Sequence, residues 1–480
     1  MSHDSADRMN AASDTTTLDA TYAHLRSMSR TKGPLSYKER VKALKALSRA
    51  VRRRREDIIT AINTDFGGRS RHETLSAEIF TSVAAIRHTL THLRDWMESE
   101  TRPTFWAMRP SRCEVRYQPL GVVGIIAPWN YPVYLSISPI VAAISAGNRV
   151  MLKPSEITPN TSEVLIALIS EALGDDIAAV VVGDHQVGAA FSRLPFDHLL
   201  FTGSTGVGRH IMSAASENLT PVTLELGGKS PVVLHESFSV RRAAPPIVFG
   251  KLLNAGQTCI APDYLLCPAA KVGAMVEALT AEVSRRYPTL KNNPDYTAIV
   301  SDRHHARLTA LIADAVDKGA ELVEINPAGE DLSGGRRMAP TLILNPTEDM
   351  AVMQEEIFGP VLPIVSCDSA EAALDYVNDH PRPLALYYFD GSRRRIRTVL
   401  DSTISGGVTI NNTILHVSQE DLPFGGVGPS GMGAYHGFEG FETFSHKKGV
   451  LYQSRFSPTP SLIRPPYGRL MSLMMRFLIR

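Results

Sequence analysis

An alternation constrains this chain more than anything else: from about Val115 onward, short β-rich runs take turns with stretches of helical periodicity. The runs at residues 121–127, 149–153, 178–182, 198–201 and 222–226 are mostly apolar, and helical patterns lie after Pro132, over residues 162–173 and from near Thr205. Strands of a parallel sheet look like this because crossover helices cover both of their faces. The pattern predicts an α/β fold built on a doubly wound parallel sheet. A second series runs through residues 232–234, 264–267, a helix from 271 to about 286, then 342–344, 361–365 and 407–410. A chain of 480 residues, 44% of them apolar, can bury two such cores. The two layers are expected to meet near Glu225 and to leave a crevice between them, a preferred place for a ligand.

Charge and cysteine usage exclude several classes. Lys and Arg total 50 against 49 for Asp and Glu, a formal net charge of +1. No global field therefore draws the protein to nucleic acid, and a small, near-neutral partner is expected. Arginines 52 to 55 sit within the helical spacing of Val41, Leu44, Leu47, Val51, Ile58 and Ile59, which assigns them to a solvated helix face. Cysteines 113, 259, 267 and 367 have neither metal-site spacing nor the density of a disulfide framework, which fits a reducing compartment. No His, Cys and carboxylate grouping has ligand spacing, so no metal is expected. The first 20 residues or so are rich in Ser, Asp and Thr and lack the apolar segment of a signal peptide, so they are expected to be disordered. No stretch approaches the ~18 consecutive apolar residues of a membrane span, and a cytoplasmic location is expected.

Two segments carry chemistry. Cys259 stands in Asn254-Ala-Gly-Gln-Thr-Cys-Ile-Ala-Pro-Asp263, and Glu225 lies upstream in Leu224-Glu-Leu-Gly-Gly-Lys-Ser-Pro231. A thiol with an unperturbed pKa near 8.5 is only a few per cent thiolate at neutral pH, and a loop position beside a helix end could raise that fraction. Taken alone, Cys259 reads as a small buried apolar side chain. The turn Gly203-Ser-Thr-Gly-Val-Gly208 follows a β-run and opens a helix, so its amides and helix N-terminus can receive a pyrophosphate, with the Ser204 hydroxyl as a further donor. Gly426-Val-Gly-Pro-Ser-Gly431 matches the same glycine fingerprint, but no strand precedes it and the glycines after it disfavour a helix. It reads as a loop near the site mouth. His436 in Tyr435-His-Gly437 reads as hydrogen-bonded structure rather than a base.

The Cys259 and Glu225 segments resemble the catalytic motifs of the aldehyde dehydrogenase superfamily. Further segments match in family order: Pro128-Trp-Asn-Tyr-Pro132, Gly147-Asn-Arg-Val-Met-Leu-Lys-Pro-Ser-Glu156, Phe201 to Gly208, Glu355-Glu-Ile-Phe-Gly-Pro360 and Pro423-Phe-Gly-Gly-Val-Gly-Pro-Ser-Gly431. The resemblance spans roughly residues 35 to 450, and Ala261-Pro-Asp-Tyr264 with residues 431–444 brings the chain nearest the class 3 and coniferyl aldehyde branch. It implies Cys259 as nucleophile, Glu225 as the base that activates water, and Asn130 with the Cys259 N–H as oxyanion donors. Lys153 and Glu156 would contact the adenosine ribose, where a carboxylate favours NAD over NADP, with NADP as an alternative. Glu356 and Phe358 would hold the nicotinamide end, and Trp129, Leu226 and Gly227 join Gly203, Ser204 and Gly208 as cofactor contacts.

The organisation implied is a disordered tail over 1–30, an NAD-binding domain over 31–110 and 121–226, and a catalytic domain over 227–414. An oligomerisation arm from 111–120 and 415–452 suggests a homodimer, and a tail covers 453–480. In that tail Leu470, Leu473, Met474, Phe477 and Leu478 share one helical face and Arg469, Arg476 and Arg480 another. The face suits docking on a partner subunit, or else peripheral contact with a membrane interface. Oxidation of an aldehyde to the acid is the expected activity. Aromatic coniferyl-type and medium- or long-chain aliphatic substrates both remain open. A CoA-acylating enzyme, a thiol esterase and a structural protein are the other readings; Glu225 argues for water over CoA.

Overall fold

The computed structural model describes residues 3–457 and 464–479, with side chains from residue 17 onward. Two sheets dominate. The first has six strands in the order Gly431–Met432, Val222–Leu226, His198–Gly203, Val122–Ile126, Arg149–Lys153, Ala178–Val180, parallel except for the first pair. The chain moves outward from Val122–Ile126, then crosses back to His198–Gly203, so the strand order reverses between those two neighbours. Loops leaving their carboxyl ends diverge there and open a crevice.

The second sheet has seven strands, in the order Glu321–Glu324, Thr341–Leu344, Val361–Cys367, Tyr264–Pro268, Pro231–Leu234, Ala385–Phe389, Gly407–Ile410, parallel except at the Glu321–Glu324 edge. Only four residues, 227–230, join the end of Val222–Leu226 to the start of Pro231–Leu234. The carboxyl edge of the first sheet therefore confronts the amino edge of the second, and the loop before Tyr264–Pro268 comes to the same junction. A separate three-stranded antiparallel sheet pairs Arg112–Pro119 with Glu100–Arg102 and Ser445–Tyr452.

Four expectations need correction. The N-terminal tail is not disordered: His3–Thr31 is one helix, and Leu18, Tyr22 and Leu25 are buried against Val122, Phe196 and Leu199. A three-residue apolar stripe at helical spacing anchors it, and the polar remainder masks that stripe in the composition. Lys32 and His24 tie its far end to Asp176. Arginines 52, 53 and 55 are solvated as expected, but Arg54 is half-buried: the helices Tyr37–Arg53 and Arg55–Phe66 part there, and its guanidinium bonds Glu171. Part of the 415–452 segment expected in the arm lies elsewhere: His416 bonds Thr409 at the edge of the second sheet, and on the first Gly431 pairs with Glu225 while Leu226 N–H donates to Ser430. Strand Glu100–Arg102, expected in the cofactor domain, belongs to the three-stranded sheet.

The tail helix Arg469–Leu478 buries none of its side chains; Arg480 lies outside the described residues. Among the described residues, no helix is long and apolar enough to cross a membrane. The N-terminal helix makes a direct test of packing. Leu25→Ala should lower unfolding stability by about 2–4 kcal/mol, as a fully buried leucine does when its cavity cannot collapse; denaturant titration giving no change would detach that helix from the core.

Candidate active site

Strand Val122–Ile126 is fully buried and delivers Pro128, Trp129 and Asn130 to the switch point of the first sheet. The helix that follows, Tyr134–Ala146, begins where the Glu78 carboxylate accepts from the N–H groups of Val133 (3.0 Å) and Tyr134 (2.8 Å), an anion placed at a helix N-terminus. The Asn130 carbonyl accepts from Arg69 Nη1 (2.8 Å) and Asn254 Nδ2 (3.1 Å). Its side-chain Nδ2 donates to Gln257 O at 3.2 Å and keeps a second N–H. Next to it, Tyr131 Oη and Thr258 Oγ1 share a hydrogen bond of 2.7 Å.

These bonds fasten the loop that carries the thiol. Asn254, Ala255 and Gly256 have φ of 54, 53 and 77°, left-handed conformations that cost a residue such as alanine roughly 1–2 kcal/mol. Gly256 is required, because a Cβ there would stand 2.3 Å from Gly359 O. The Asn254 N–H reaches Glu73 Oε1 at 3.1 Å, and the Gln257 amide bridges Asn254 O, Ala298 O and the Val300 N–H. Cys259 follows on a turn closed by Ala261 N–H donating to Thr258 O.

The electrostatics correct one expectation. The thiol is not activated by a helix end: burial pushes the Cys259 pKa well up, Glu356 and Glu225 push it further, and the amides of Cys259 and Ile260 only partly offset this. Glu225, next to last in its strand, is buried with no partner on either carboxyl oxygen, and burial holds its pKa well above the carboxylate range. Burial, then Asp263, raises Glu356 to about 8.

Glu225, Glu356 and Cys259 line one cavity of about 1190 Å³. Asn130, Trp129, Lys153, Glu156, Gly203, Ser204, Leu226, Gly227 and Phe358 line it too. Gly208 is not among its lining residues; a Cβ there would lie 2.6 Å from Leu226 Cδ2, so it serves helix-to-strand packing. Lys153 Nζ meets Glu156 Oε2 at 3.1 Å at one end of the cavity. Ser204 caps the helix Thr205–Ser216 by accepting from Val207 N–H, which leaves its hydroxyl proton free to donate. Gly227 makes room for Glu356, whose Oε2 would lie 1.9 Å from a Cβ.

Three lining residues, Leu135, His304 and Arg307, carried no sequence signal. Trp129 meets Phe358 (5.3 Å) and His304 (4.8 Å) edge to face, and Arg307 holds the Ile357 and Glu356 carbonyls. Phe424, Tyr435 and Leu135 line the same cavity, Tyr435 near the thiol. Phe424 stacks on His436, a buried ring driven to about 3 and so neutral, hydrogen-bonded to Tyr134 Oη. The glycine loop at 426–431 runs beside Glu225, with Thr205 Oγ1 donating to Pro429 O, and opens no helix. Among the described residues no cluster of three His, Cys or carboxylate groups could hold a metal.

Comparison with known proteins agrees over nearly the whole chain. The description "Aldehyde dehydrogenase family" matches residues 7–450. The chain is 50% identical to a probable coniferyl aldehyde dehydrogenase of Caulobacter vibrioides over 93% of its length and 92% of the relative's. It is 47% identical to a coniferyl aldehyde dehydrogenase of a Pseudomonas strain, with 91% of each covered. Among solved structures, the substrate-bound state of Staphylococcus aureus AldH superposes with a TM-score of 0.90 at 36% identity, covering 96% of this chain and 99% of that one. A Mycobacterium tuberculosis aldehyde dehydrogenase complexed with NAD+ gives 0.82 at 29%, covering 91% and 90%.

Alkylation of Cys259 by iodoacetamide should keep accelerating with pH beyond about 8.5, where an ordinary cysteine levels off. Removing a like charge favours the thiolate, so Glu356→Gln should move that rise to lower pH. A rate already flat near pH 7 would contradict the burial of the thiol.

Proposed function

The chain belongs to the aldehyde dehydrogenase family, and from that premise we propose that it oxidises aromatic aldehydes of the coniferyl type to their acids, with NAD preferred over NADP. The observation that carries the substrate class is the aromatic lining of the cavity that holds Cys259: Phe424, Tyr435 and Trp129 line it, and Tyr435 lies near the thiol. A flat ring conjugated to a carbonyl can stack on such side chains. Relatives named for coniferyl aldehyde at 47–52% identity support the same choice.

Lys153 and Glu156 would hold the adenosine ribose, the helix N-terminus at Thr205 the pyrophosphate, and Glu356 and Phe358 the nicotinamide end. When bound there, the nicotinamide supplies the acceptor for the hydride that leaves the thiohemiacetal carbon. The protein's part begins with Cys259, which releases its thiol proton to solvent and adds its sulfur to the aldehyde carbon. The carbonyl oxygen becomes an oxyanion held by the free Asn130 N–H and the Cys259 backbone N–H. After oxidation an acyl thioester remains on Cys259. Glu225 then takes a proton from water, the hydroxide adds to the thioester carbon, and collapse of that adduct expels the sulfur and releases the acid. An apolar pocket suits Glu225 to this, since the proton it accepts leaves it in its preferred neutral form.

A homodimer is the expected assembly: strand Ser445–Tyr452 pairs on one side only, and Leu451 and Tyr452 stay exposed. The tail helix would dock on the second copy.

NADH production across coniferaldehyde, benzaldehyde and C6 to C12 aliphatic aldehydes tests the substrate class; a kcat/KM that rises with aliphatic chain length and ignores the aromatics would replace it. Cys259→Ala should abolish oxidation, whereas Glu225→Gln should keep the pre-steady-state burst and slow turnover by about 100-fold or more. Glu156→Gln should raise kcat/KM for NADP relative to NAD by about 10-fold, as one removed repulsion allows; an unchanged ratio means Glu156 does not read the 2′ position.

A further inference from the structure

A cation is buried beside the site, the guanidinium of Arg69, and the chemistry above gives it no part. Its side chain is 0% exposed. Phe66 and Tyr131 lie against it, with ring centroids 4.8 and 4.9 Å from Cζ. Nη1 donates to Asn130 O at 2.8 Å and stands 3.5 Å from Glu78 Oε1. Nε and Nη2 have no hydrogen-bond acceptor. A cation buried this deeply, with two of its three nitrogens unmatched, is a costly way to stabilise a fold. An apolar side chain of similar volume would pack there at less cost.

The bonds around it indicate what it does. Arg69 and Glu78 clamp the two ends of the short segment 130–134: Arg69 takes the Asn130 carbonyl, and Glu78 takes the Val133 and Tyr134 N–H groups. Glu78 lies in the π-helical stretch Leu75–Phe80, which aims its carboxylate at that helix start. With the peptide on both sides fixed, the Asn130 side chain has little freedom beyond its bond to Gln257 O, which presents its second N–H to the cavity. The Tyr131 ring that lies against Arg69 carries the hydroxyl bonded to Thr258, the neighbour of Cys259. One rigid side chain thus fixes the oxyanion donor relative to the nucleophile.

We propose that Arg69, wedged against Phe66 and Tyr131 and bonded to the Asn130 carbonyl, is a positioning residue for the oxyanion hole, acting on the rate of the chemical steps and not on the binding of either substrate. This rests on the role given to Asn130 above. Lysine cannot replace it, because a point charge on a flexible stem neither lies flat against two rings nor fixes the direction of its donor.

A double-mutant cycle on the full-length enzyme tests it, with kcat for aldehyde oxidation and, separately, cofactor-free hydrolysis of p-nitrophenyl acetate, which needs the thiol, the oxyanion donors and Glu225 but no hydride transfer. Asn130→Ala should lower both rates by about 100-fold. Arg69→Lys and Arg69→Met should each lower them by roughly 10-fold with KM for NAD and aldehyde changed less than about 2-fold, and in the Asn130→Ala background the same changes should cost less than about 2-fold, since their effect runs through an amide no longer present. Equal factors in both backgrounds, or an Arg69→Lys enzyme with wild-type kcat, overturn the proposal while leaving Asn130 in its role. A full-rate Asn130→Ala enzyme overturns both. Should Arg69→Met fail to fold, the lysine variant closes the cycle by itself.

Discussion

The site depends on one constraint, the convergence of Cys259, Glu225 and Glu356 on a single cavity at a junction four residues long, Glu225 fully buried and the other two partly so. Burial of a carboxyl without hydrogen-bond partners favours its neutral acid, and burial beside two carboxyls favours the neutral thiol. The resting centre therefore carries less charge than its residues suggest. Reactivity is stored in that neutrality. Any of the three that loses its proton does so in surroundings that solvate the charge poorly, which makes the thiolate a strong nucleophile and the carboxylate a strong base. Gly227 is what lets Glu356 join the group, since any side chain would occupy the space of its carboxyl.

Holding the thiol in place requires backbone strain, and the strain is confined. Asn254 and Ala255 adopt left-handed conformations, as does Phe358 on the facing loop, each costing of order 1 kcal/mol or more. The surrounding bonds outnumber those costs: Glu73 takes the Asn254 N–H, Gln257 makes three bonds with its amide, and Thr258 is tied to Tyr131. Residues 69–80, from outside both sheets, supply Arg69, Glu73 and Glu78 to this network. The nucleophile loop is thus positioned by a third body, and the relative placement of the two sheets at the thiol is read out through Asn130 and Gln257.

How much of this the sequence discloses follows from the range of each interaction. Parallel strands covered on both faces leave apolar runs, so residues 122–126, 149–153 and 222–226 are visible as strands, and the crevice at the switch point follows from their order. Cys259, Glu225 and Asn130 are legible because each sits in a motif with its own glycines and prolines. The helix His3–Thr31 is not, because three buried residues among its described side chains cannot lift the composition of a polar segment. Nor is the pairing of Gly431 with Glu225, which joins positions 206 apart through two backbone hydrogen-bonding edges and leaves no mark on side-chain pattern.

The thiol's acidity shows the same limit from the other direction. Local sequence suggests a loop beside a helix end and hence a readier thiolate, while the groups that decide the matter, Glu225 and Glu356, stand 34 residues before Cys259 and 97 after it. Burial is a property of the whole fold, and it outweighs the two nearby amides that favour the anion. Arg69 belongs with these cases: a lone arginine after two glycines carries no pattern, and only the closed fold sets it between Phe66 and Tyr131 with its donor on the Asn130 carbonyl. Motifs identify the groups that react; the residues that aim them come from elsewhere in the chain and are recognised by what they touch.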